Sequence, residues 1–384
     1  MGEPSTFVGL DAHKDTIVGA MLLPGAVHPV EWKLVNEPGA VRRLARKLER
    51  EGPDGVRCCY EAGPGGYVLQ RQLMAAGIPC TVIAPSLIPV KPGQAIKTDR
   101  RDARKLAEWF RAGLLTEVHP PTEDEEAVRD LCRARDDAQR DLTRAKNRLS
   151  KFLLRRGCVY CVGRKPTWSQ KYWRWLHALT FAWPADQIVC EDYLLAVEQV
   201  EARLEPLDDQ LERVSTTAPY RAPVAALRCF HGIDTVTALA LVAELHDPRR
   251  FPSARQLTAY LGLVPRENSS GGRRRQGGIT GAGNRHVRRL LREAAWHYRH
   301  KPQIGRALRL RRCSQPPAVD RTRRPGAAAA DAAPSPHDVP GQAPQHRHGR
   351  HRPRTGGPSL ERTAGHDAST ELSLKRTEGA ADGG

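Results

Sequence analysis

The sequence predicts an α/β domain at residues 1–122, a helical hairpin or coiled coil at 123–220, a compact helical domain at 221–312 and a disordered tail at 313–384. Three observations predict this order. Apolar strands alternate with helices in the first part, apolar residues follow heptads in the second, and the last part contains no Phe, Tyr or Trp. A segment without aromatic residues and rich in Pro, Ala and Gly has too little apolar surface to fold by itself.

Strands and helices alternate in the first domain. The stretch "TFVGLDAHKDTIVGAMLL" has two apolar, β-branched runs around a polar insert, so it predicts a strand, a tight turn and a second strand. Residues 40–52 have the apolar spacing of a helix and end at a glycine. "GVRCCYEAG" predicts a strand that ends at Glu61, and "IPCTVIAP" predicts another. This alternation is typical of an α/β fold.

Two long helices are predicted for the second part. One heptad pattern runs from Val128 to Phe152 and is broken only by Arg135, and another runs unbroken from Val197 to Val214. The pattern predicts an antiparallel hairpin or an intersubunit coiled coil, with ordinary helices packed on a core as the alternative. The tryptophan-rich connector between them either packs internally or offers a surface on which nucleobases stack.

The third part combines short helices with a basic loop. "HGIDTVTALALVAEL" resembles a helix-hairpin-helix, whose turn offers main-chain N–H groups to phosphate. "ENSSGGRRRQGGITGAGN" is a glycine-rich basic loop, and "RHVRRLLREAAWHYRH" predicts a helix with an arginine face.

The charge of the chain indicates a polyanionic partner. Lys and Arg number 61 against 43 acidic residues among 384, for a net charge of +18 and a pI near 9.9. Nucleic acid is the first candidate and an anionic membrane surface the second. The sequence has no apolar run of about 18 residues and no secretory leader pattern, which argues against the membrane. Nine scattered cysteines without a framework fit a reducing cytoplasm, and the lone CxxC at Cys158 and Cys161 is a weak metal signal.

Four acidic residues occur where apolar strands meet glycine or basic loops. Asp11 and Glu61 lie at predicted strand ends, while Asp99 and Asp102 open the predicted helix of "AIKTDRRDARKLAEWF". Carboxylates from three segments would meet at one sheet edge and hold two Mg²⁺ ions for phosphodiester chemistry. The surrounding cations would hold phosphate; they are Lys97, Arg100, Arg101 and Arg104. The alternative is a capped helix with solvated ion pairs.

Several motifs carry a family resemblance. "GLDAHKD", "YEAGPGGY", "KTDRRDA" and "YLGLVPRENSSGGRRRQGGITGAGN" occur in order over roughly residues 5–312 and resemble the DEDD transposases of the insertion sequence 110 family. The resemblance implies a RuvC-like (ribonuclease-H-like) N-terminal domain, a coiled coil and an α-helical C-terminal transposase domain with a catalytic serine. It further implies DNA recombination guided by a structured bridge RNA in the bacterial cytoplasm, at the nucleoid.

The resemblance also assigns roles to residues of this chain. Asp11, Glu61, Asp99 and Asp102 match the four metal-binding acids. The serine falls in "SSGG", where Ser270 fits best because it precedes the glycine, with Ser269 as the alternative. The predicted phosphate contacts of this part are Arg273, Arg274, Arg275, Arg285, Arg288 and Arg289. Because the acids precede the heptads and the serine follows them, we expect a site shared between subunits of a homodimer or homotetramer.

The chain departs from the family pattern at two places. Gly281 stands where members commonly carry a lysine, which removes one phosphate contact. After about residue 319 the sequence, rich in Arg, Pro, Ala and His, resembles an out-of-frame reading of a GC-rich gene, which bears on whether this copy is active. Two other functions stay open at this point. One is a RuvC-like nuclease or junction resolvase that uses water, and the other is a nucleic-acid-binding protein without catalysis.

Overall fold

A mixed six-stranded sheet forms the centre of the N-terminal domain. The computed structural model describes residues 6–52, 55–89, 98–160, 168–299 and 304–315. The sheet order is β3-β2-β1-β4-β5-β6, in which β1 and β4 as well as β4 and β5 are parallel. Its strands are β1 (Thr6–Ala12), β2 (Thr16–Leu22), β3 (Val30–Val35), β4 (Val56–Glu61), β5 (Cys80–Ile83) and β6 (Glu117–Val118). The predicted α/β class is therefore confirmed for this part of the chain.

Helices cover both faces of the sheet. Helix α1 (Pro38–Glu51) and helix α2 (Val68–Ala75) lie on one face, where Val8 and Leu10 pack with their apolar residues. Helix α3 (Asp99–Arg111) covers the opposite face. Because side chains alternate along a strand, β1 contributes even-numbered residues to the first layer and odd-numbered residues to the second.

Gly9 lets helix α3 approach strand β1 closely. A side chain at Gly9 would collide with the main chain of Ala103 and Ala107 and lie 2.8 Å from the Leu106 Cβ. Farther along, the rings of Phe7 and Phe110 meet edge to face at 5.7 Å. The helix therefore runs antiparallel to β1, which places its first turn at the carboxyl end of that strand.

Two long helices pack against each other as an antiparallel pair. Helix α4 (Glu123–Arg155) and helix α6 (Pro184–Ser215) are joined by ion pairs from Arg156 to Asp186 at 2.5 Å and from Arg135 to Asp208 at 2.7 Å. The low residue numbers of one helix thus face the high numbers of the other. The two helices therefore form the predicted antiparallel hairpin within this chain. Arg135, which breaks the heptad, is paired with Asp208.

The aromatic connector packs mainly on itself and on the long helices. Helix α5 (Gln170–His177) carries a buried Tyr172, whose ring stacks on Trp175 at 5.5 Å and meets Trp168 edge to face at 5.3 Å. These rings join the apolar core between α4 and α6. Of the two alternatives for the connector, packing is the one that these contacts support.

The C-terminal described part is helical with one small hairpin. Its elements are α7 (Arg221–Leu227), α8 (Thr235–Leu245), α9 (Ala254–Tyr260), β7 (Pro265–Glu267), β8 (Gln276–Ile279), α10 (Arg285–Trp296) and α11 (Arg306–Cys313). The predicted basic loop is thus a β-hairpin. The predicted helix-hairpin-helix turn lies between α7 and α8, where Gly232 has a φ of 72° and packs against Ala294 and His297 of the segment at α10.

Some of the predictions fall on residues that the structure does not describe. Almost all of the predicted tail lies outside the described residues, as do Lys97 and Cys161. Within the described residues, no helix is both long enough and apolar enough to span a membrane. The cysteines of the described residues are free thiols.

Replacing Gly9 by alanine should destabilise the N-terminal domain. The added methyl group has to push α3 away from β1, and overpacking of this kind costs about 2 kcal/mol. Gly65 is the matched control, because nothing lies within 4 Å of a Cβ placed there. Urea denaturation of Gly9→Ala and Gly65→Ala should show a reduced free energy of unfolding for the first only; equal stability of the two variants would contradict the close approach.

Candidate metal centre and serine hairpin

The parallel pairing of β1 and β4 brings Asp11 and Glu61 to the same edge of the sheet. Leu10 pairs with Tyr60, and the next residue in each strand is the acid. Gly9 and Cys59 pair one step earlier and both contact α3, where the Cys59 Sγ lies 3.7 Å from the Leu106 carbonyl oxygen. By the alternation of side chains, Asp11 also belongs to the α3 face, whereas Glu61, the last residue of β4, lines a cleft beside α2.

Asp11, His13 and Asp99 form a compact group at this edge. Their ligand atoms lie within 4.8 Å of one another. His13 Nε2 is 3.3 Å from Asp11 Oδ2 and 3.7 Å from Asp99 Oδ1. Asp99 opens α3 because Thr98 caps the helix, its hydroxyl accepting from the Arg101 N–H. The close approach at Gly9 therefore carries the first turn of α3 to the end of β1.

Burial and nearby carboxylates raise the pKa of Asp11. Desolvation is the largest cause, His13 acts against it, and the charges of Asp99 and Asp102 raise the pKa further. Carboxylates that repel each other in this way are relieved by a bound cation. Oxygen ligands of this kind suit Mg²⁺, so the residues present fit the divalent metal that the sequence predicts.

The other two predicted acids lie at the border of the group. Asp102 follows one turn after Asp99, close enough for its charge to act on Asp11, and Lys105 Nζ lies 3.9 Å from its Oδ1. Glu61 is exposed and lines a cleft together with His13. The compact group of three thus contains Asp11 and Asp99 but neither Asp102 nor Glu61.

His13 is the residue of this group that sequence reasoning missed. The motif "GLDAHKD" contains it, two residues after Asp11. Residues two apart share one face of an extended chain, so the spacing was a usable signal. Histidine is also a common metal ligand and a proton carrier near neutral pH.

The predicted cations around α3 have different environments. Arg100 and Arg101 are exposed at the start of the helix. Arg104 instead donates two hydrogen bonds to Glu31 Oε1, from Nε at 2.9 Å and from Nη2 at 2.6 Å. That contact ties α3 to strand β3 and holds the guanidinium in a structural ion pair.

The two adjacent serines of the hairpin differ in their hydrogen bonds. Ser269 Oγ donates to Glu267 Oε1 at 2.9 Å and accepts from the Arg275 N–H at 3.1 Å. Ser270 and Arg273 exchange main-chain hydrogen bonds of 3.3 and 3.0 Å across the tip of the hairpin. Gly271 and Gly272 form that tip with positive φ values of 56° and 76°. The Ser270 hydroxyl is exposed and makes no side-chain hydrogen bond with the described residues.

The predicted arginines of this part divide into exposed and internally bound groups. Arg273, Arg274, Arg275 and Arg285 are exposed. Arg288 Nη1 donates to the carbonyl oxygens of Leu261 at 2.8 Å and Ala282 at 2.6 Å, which fastens α10 to the end of α9 and to the loop after β8. Arg289 Nη2 lies 2.6 Å from Asp136 Oδ1 of α4. Arg288 and Arg289 thus have clear structural partners.

A buried carboxylate supports the start of α10. Glu244 accepts two hydrogen bonds from Arg133, at 2.7 and 3.0 Å, and one from Asn284 Nδ2 at 2.6 Å. Burial raises the pKa of Glu244, but these hydrogen bonds outweigh it and hold the pKa below its usual range. Asn284 Oδ1 in turn accepts from the N–H groups of His286 and Val287, so it caps α10.

Known proteins match both parts of this arrangement. Residues 8–156 match a profile of DEDD transposases of the IS110 type, and residues 224–309 match the profile described as transposase IS116/IS110/IS902 family. The transposase homologue y4qE of Sinorhizobium fredii (strain NBRC 101917 / NGR234) is 42% identical over 301 residues, which is 78% of this chain and 73% of that protein. This chain belongs to the IS110 family of DEDD transposases.

Two further relatives of this transposase carry the names of insertion sequences. The transposase for insertion sequence element IS1533 of Leptospira borgpetersenii is 33% identical over 320 residues, 82% of this chain and 91% of its own length. The transposase for insertion sequence element IS1111A of Coxiella burnetii is 28% identical over 268 residues, 68% of this chain and 71% of its own length. The transposase fold that we describe is consistent with the RuvC-like domain that the resemblance implies.

Replacing Asp11 by asparagine should remove metal binding without weakening the fold. The substitution deletes a ligand charge, so we expect Mn²⁺ affinity in calorimetry to fall at least about tenfold. Because its pKa is raised, ionised Asp11 costs the metal-free protein stability at neutral pH, and a neutral asparagine removes that cost. Melting without metal should therefore show Asp11→Asn to be at least as stable as the unaltered protein.

The control for this experiment is Asp15→Asn in the same turn. Asp15 is exposed and stands outside the compact group. It should bind Mn²⁺ as the unaltered protein does. Equal affinities for Asp11→Asn and Asp15→Asn would contradict a metal centre at Asp11.

Proposed function

We propose that this transposase cuts and rejoins DNA through a covalent bond between Ser270 and a DNA phosphate. The observation that carries this proposal is the contrast between two serine environments. The Ser269 hydroxyl is held by Glu267 and Arg275, whereas the Ser270 hydroxyl stands exposed at a glycine-rich tip. The exposed tip lets the Ser270 hydroxyl approach a phosphorus atom, and the base that a serine nucleophile needs within hydrogen-bond reach would come from a carboxylate of the metal centre. Ser269, whose hydroxyl donates to the Glu267 carboxylate, is the alternative nucleophile.

The carboxylate group is proposed to hold Mg²⁺, with Asp11 and Asp99 as the central ligands and Asp102 and Glu61 completing the set. Bound Mg²⁺ would supply positive charge to the attacking and leaving oxygens of a phosphodiester displacement, and four carboxylates from three segments suit two such ions. His13, 3.3 Å from Asp11 Oδ2, donates to that carboxylate when it is protonated and so orients it.

The proposed reaction is a transesterification and needs no outside oxidant or energy source. Ser270 Oγ forms a bond to phosphorus while the bond from phosphorus to a sugar oxygen breaks, and the serine proton passes to a basic carboxylate. The released sugar hydroxyl takes up a proton. In the second step a sugar hydroxyl of the new DNA partner attacks the phosphoserine, and Ser270 Oγ recovers a proton. The number of phosphodiester bonds is thereby conserved.

The hairpin tip supports this chemistry with main-chain shape and positive charge. Gly271 and Gly272 adopt positive φ values that side chains disfavour, so the tip is free of bulk beside Ser270. The exposed guanidinium groups of Arg273 and Arg275 follow within five residues and suit bidentate contact to phosphate. Such contacts would stabilise the charge that develops on the phosphoryl oxygens.

A structured guide RNA is proposed to select the DNA. The net charge of +18 supports binding of nucleic acid, because each neutralised phosphate releases counterions and adds affinity. Exposed arginines at both candidate sites, Arg100, Arg101 and Arg285 among them, supply such contacts. The guide itself is an implication of the family resemblance, and reading the DNA beside the gene for a folded, partly complementary RNA would test it.

Metal-assisted hydrolysis by water is a second candidate function. It is favoured by the fact that the group of Asp11, His13 and Asp99 lies wholly on β1, the following turn and α3, without a residue of the hairpin. A denaturing gel separates the two functions, because only the serine reaction leaves the protein covalently attached to DNA.

Ser270→Ala should abolish the covalent adduct and strand exchange. DNA binding should change by less than about twofold, because a hydroxyl adds little to an affinity that charge dominates. Ser269→Ala is the matched control, and it should keep the adduct at a reduced rate because it loses the hydrogen bonds that support the hairpin. An adduct with Ser270→Ala but none with Ser269→Ala would assign the chemistry to Ser269.

A site shared between subunits predicts rescue on mixing two inactive variants. Asp11→Asn supplies an intact serine and Ser270→Ala an intact metal centre. With random pairing into dimers, an equal mixture should recover about one quarter of the unaltered activity, because half of the dimers then carry one complete site. Recombination assays at several ratios measure this, and activity at the background of each single variant would favour a site built within one chain.

A further inference from the structure

A cleft of about 630 Å³ opens beside the candidate metal centre. Its lining includes His13, which belongs to the metal group, and Glu61, which ends strand β4. The cleft extends from there over the first turn of helix α2 and the glycine loop of residues 63–66. Its volume lies within the range of about 300–1,000 Å³ that is typical of small-ligand sites.

The position of the cleft follows from the topology of the sheet. From β1 the chain proceeds to β2 and β3 on one side, and it returns through α1 to β4 on the other side of β1. The order of the strands thus reverses between β1 and β4, which are parallel neighbours. In open α/β sheets the crevice outside the carboxyl ends of such strands is the usual place for a ligand.

The walls of the cleft combine apolar surface with polar groups. Val68, the first residue of α2, is 56% exposed and faces this space, while the largely buried Leu69 forms part of its floor. Lys14 and Gln72 add a cation and an amide to the lining. The Tyr60 hydroxyl donates to the Gly66 carbonyl oxygen at 2.9 Å, so the glycine loop is tied to the end of β4. This wall is therefore formed before any ligand arrives.

One lysine and two glutamates line the rim of the cleft, so Lys14 marks the place where a phosphate of the ligand would lie. Two acids also line the cleft, but Glu37 is paired with Arg43 at 3.3 Å and Glu61 belongs to the proposed metal ligands. Lys14 leaves a positive charge on the side of His13. A ligand with a flat apolar face, hydrogen-bonding edges and an adjoining phosphate has the chemistry of a nucleotide.

We propose that this cleft binds the nucleoside next to the DNA phosphate that is cut at the candidate metal centre. The inference rests on the proposed function and names a part of its substrate. The base would lie on Val68 and Leu69, while Lys14 would contact a phosphate of the same strand. The cleft would then hold the strand in register with the metal centre and would make the reaction sensitive to an intact base at one position.

The test is a cleavage assay in which one base is removed at a time. The probe is a DNA duplex that spans the junction of the element's end with its flanking DNA, supplied with Mg²⁺ and RNA transcribed from the DNA beside the gene. Each nucleoside around the cut is replaced in turn by an abasic residue. One abasic position should lower the cleavage rate of the unaltered protein about tenfold, because the apolar wall then loses its partner.

Val68→Trp fills the cleft and should reproduce that loss on intact DNA. On the sensitive abasic DNA it should cause no further loss, because the space is no longer needed there. Leu114→Trp is the matched control, since Leu114 is likewise 56% exposed but stands outside the cleft, and it should leave both rates unchanged. Val68→Ser removes apolar surface from an exposed position. It should bring the ratio of the cleavage rates on intact and on abasic DNA towards one.

Several outcomes would overturn the inference. One is that Val68→Trp lowers the cleavage rate equally on intact and on abasic DNA, and another is that no abasic position lowers the rate of the unaltered protein. The third is that Val68→Ser leaves the ratio of the rates on intact and abasic DNA unchanged. This third measurement stays possible if Val68→Trp does not fold. Asp11→Asn separates this failure from failure of the proposed function. If Asp11→Asn stops cleavage of every DNA while the cleft variants show the same rate ratio as the unaltered protein, only the assignment of the cleft is wrong. If Asp11→Asn cleaves normally, the proposed metal chemistry itself is wrong.

Discussion

The close contact of helix α3 with strand β1 is the constraint on which the candidate metal centre depends. A missing side chain at Gly9 lets the main chain of Ala103 and Ala107 lie against the strand. The positive end of the helix dipole then points at the carboxyl edge of the sheet, where Asp11 lies. Asp99, in the first turn, is stabilised by the same dipole that would stabilise phosphate. Carboxylates from distant parts of the chain meet because a glycine allows two main chains to touch.

A second constraint joins helix α4 to the start of α10. Glu244 is buried, and its charge is satisfied by Arg133 of α4 and by Asn284, which caps α10. Removing one partner would leave a buried charge without compensation, which is far costlier than the loss of a surface ion pair. The start of α10 and the part of α4 around Arg133 are thus fixed together by one carboxylate.

Much of the architecture could be predicted from the sequence because it depends on local patterns. Alternating apolar runs predicted the strands, and heptads predicted α4 and α6. An acid at a strand end and one at a helix start led to Asp11 and Asp99. The environment of Arg288 was not predictable, because its two carbonyl partners belong to turns whose geometry no periodic pattern encodes. His13 was overlooked because a histidine in a polar turn can have several roles. Only the approach of α3, which brings Asp99 beside it, indicates that it belongs to the metal group. The hairpin strands were missed because "RRRQGGIT" lacks β-branched alternation, and glycine turns rather than side chains define it.

The long helical hairpin gives this protein a mechanical property. The described contacts of α4 with the α8 and α10 region come from its first turns, through Arg133 and Asp136, whereas its later turns pack on α5 and α6. The roughly 20 residues of α4 beyond Asp136, which we take as the root of the hairpin, extend about 30 Å at the rise of an α-helix. A rotation of about 5° at the root would therefore displace the far end by between 2 and 3 Å by simple geometry, roughly half a helical turn's rise. The hairpin thus has the geometry of a lever arm, in which a rotation around Glu244 would be amplified at the aromatic cluster of α5.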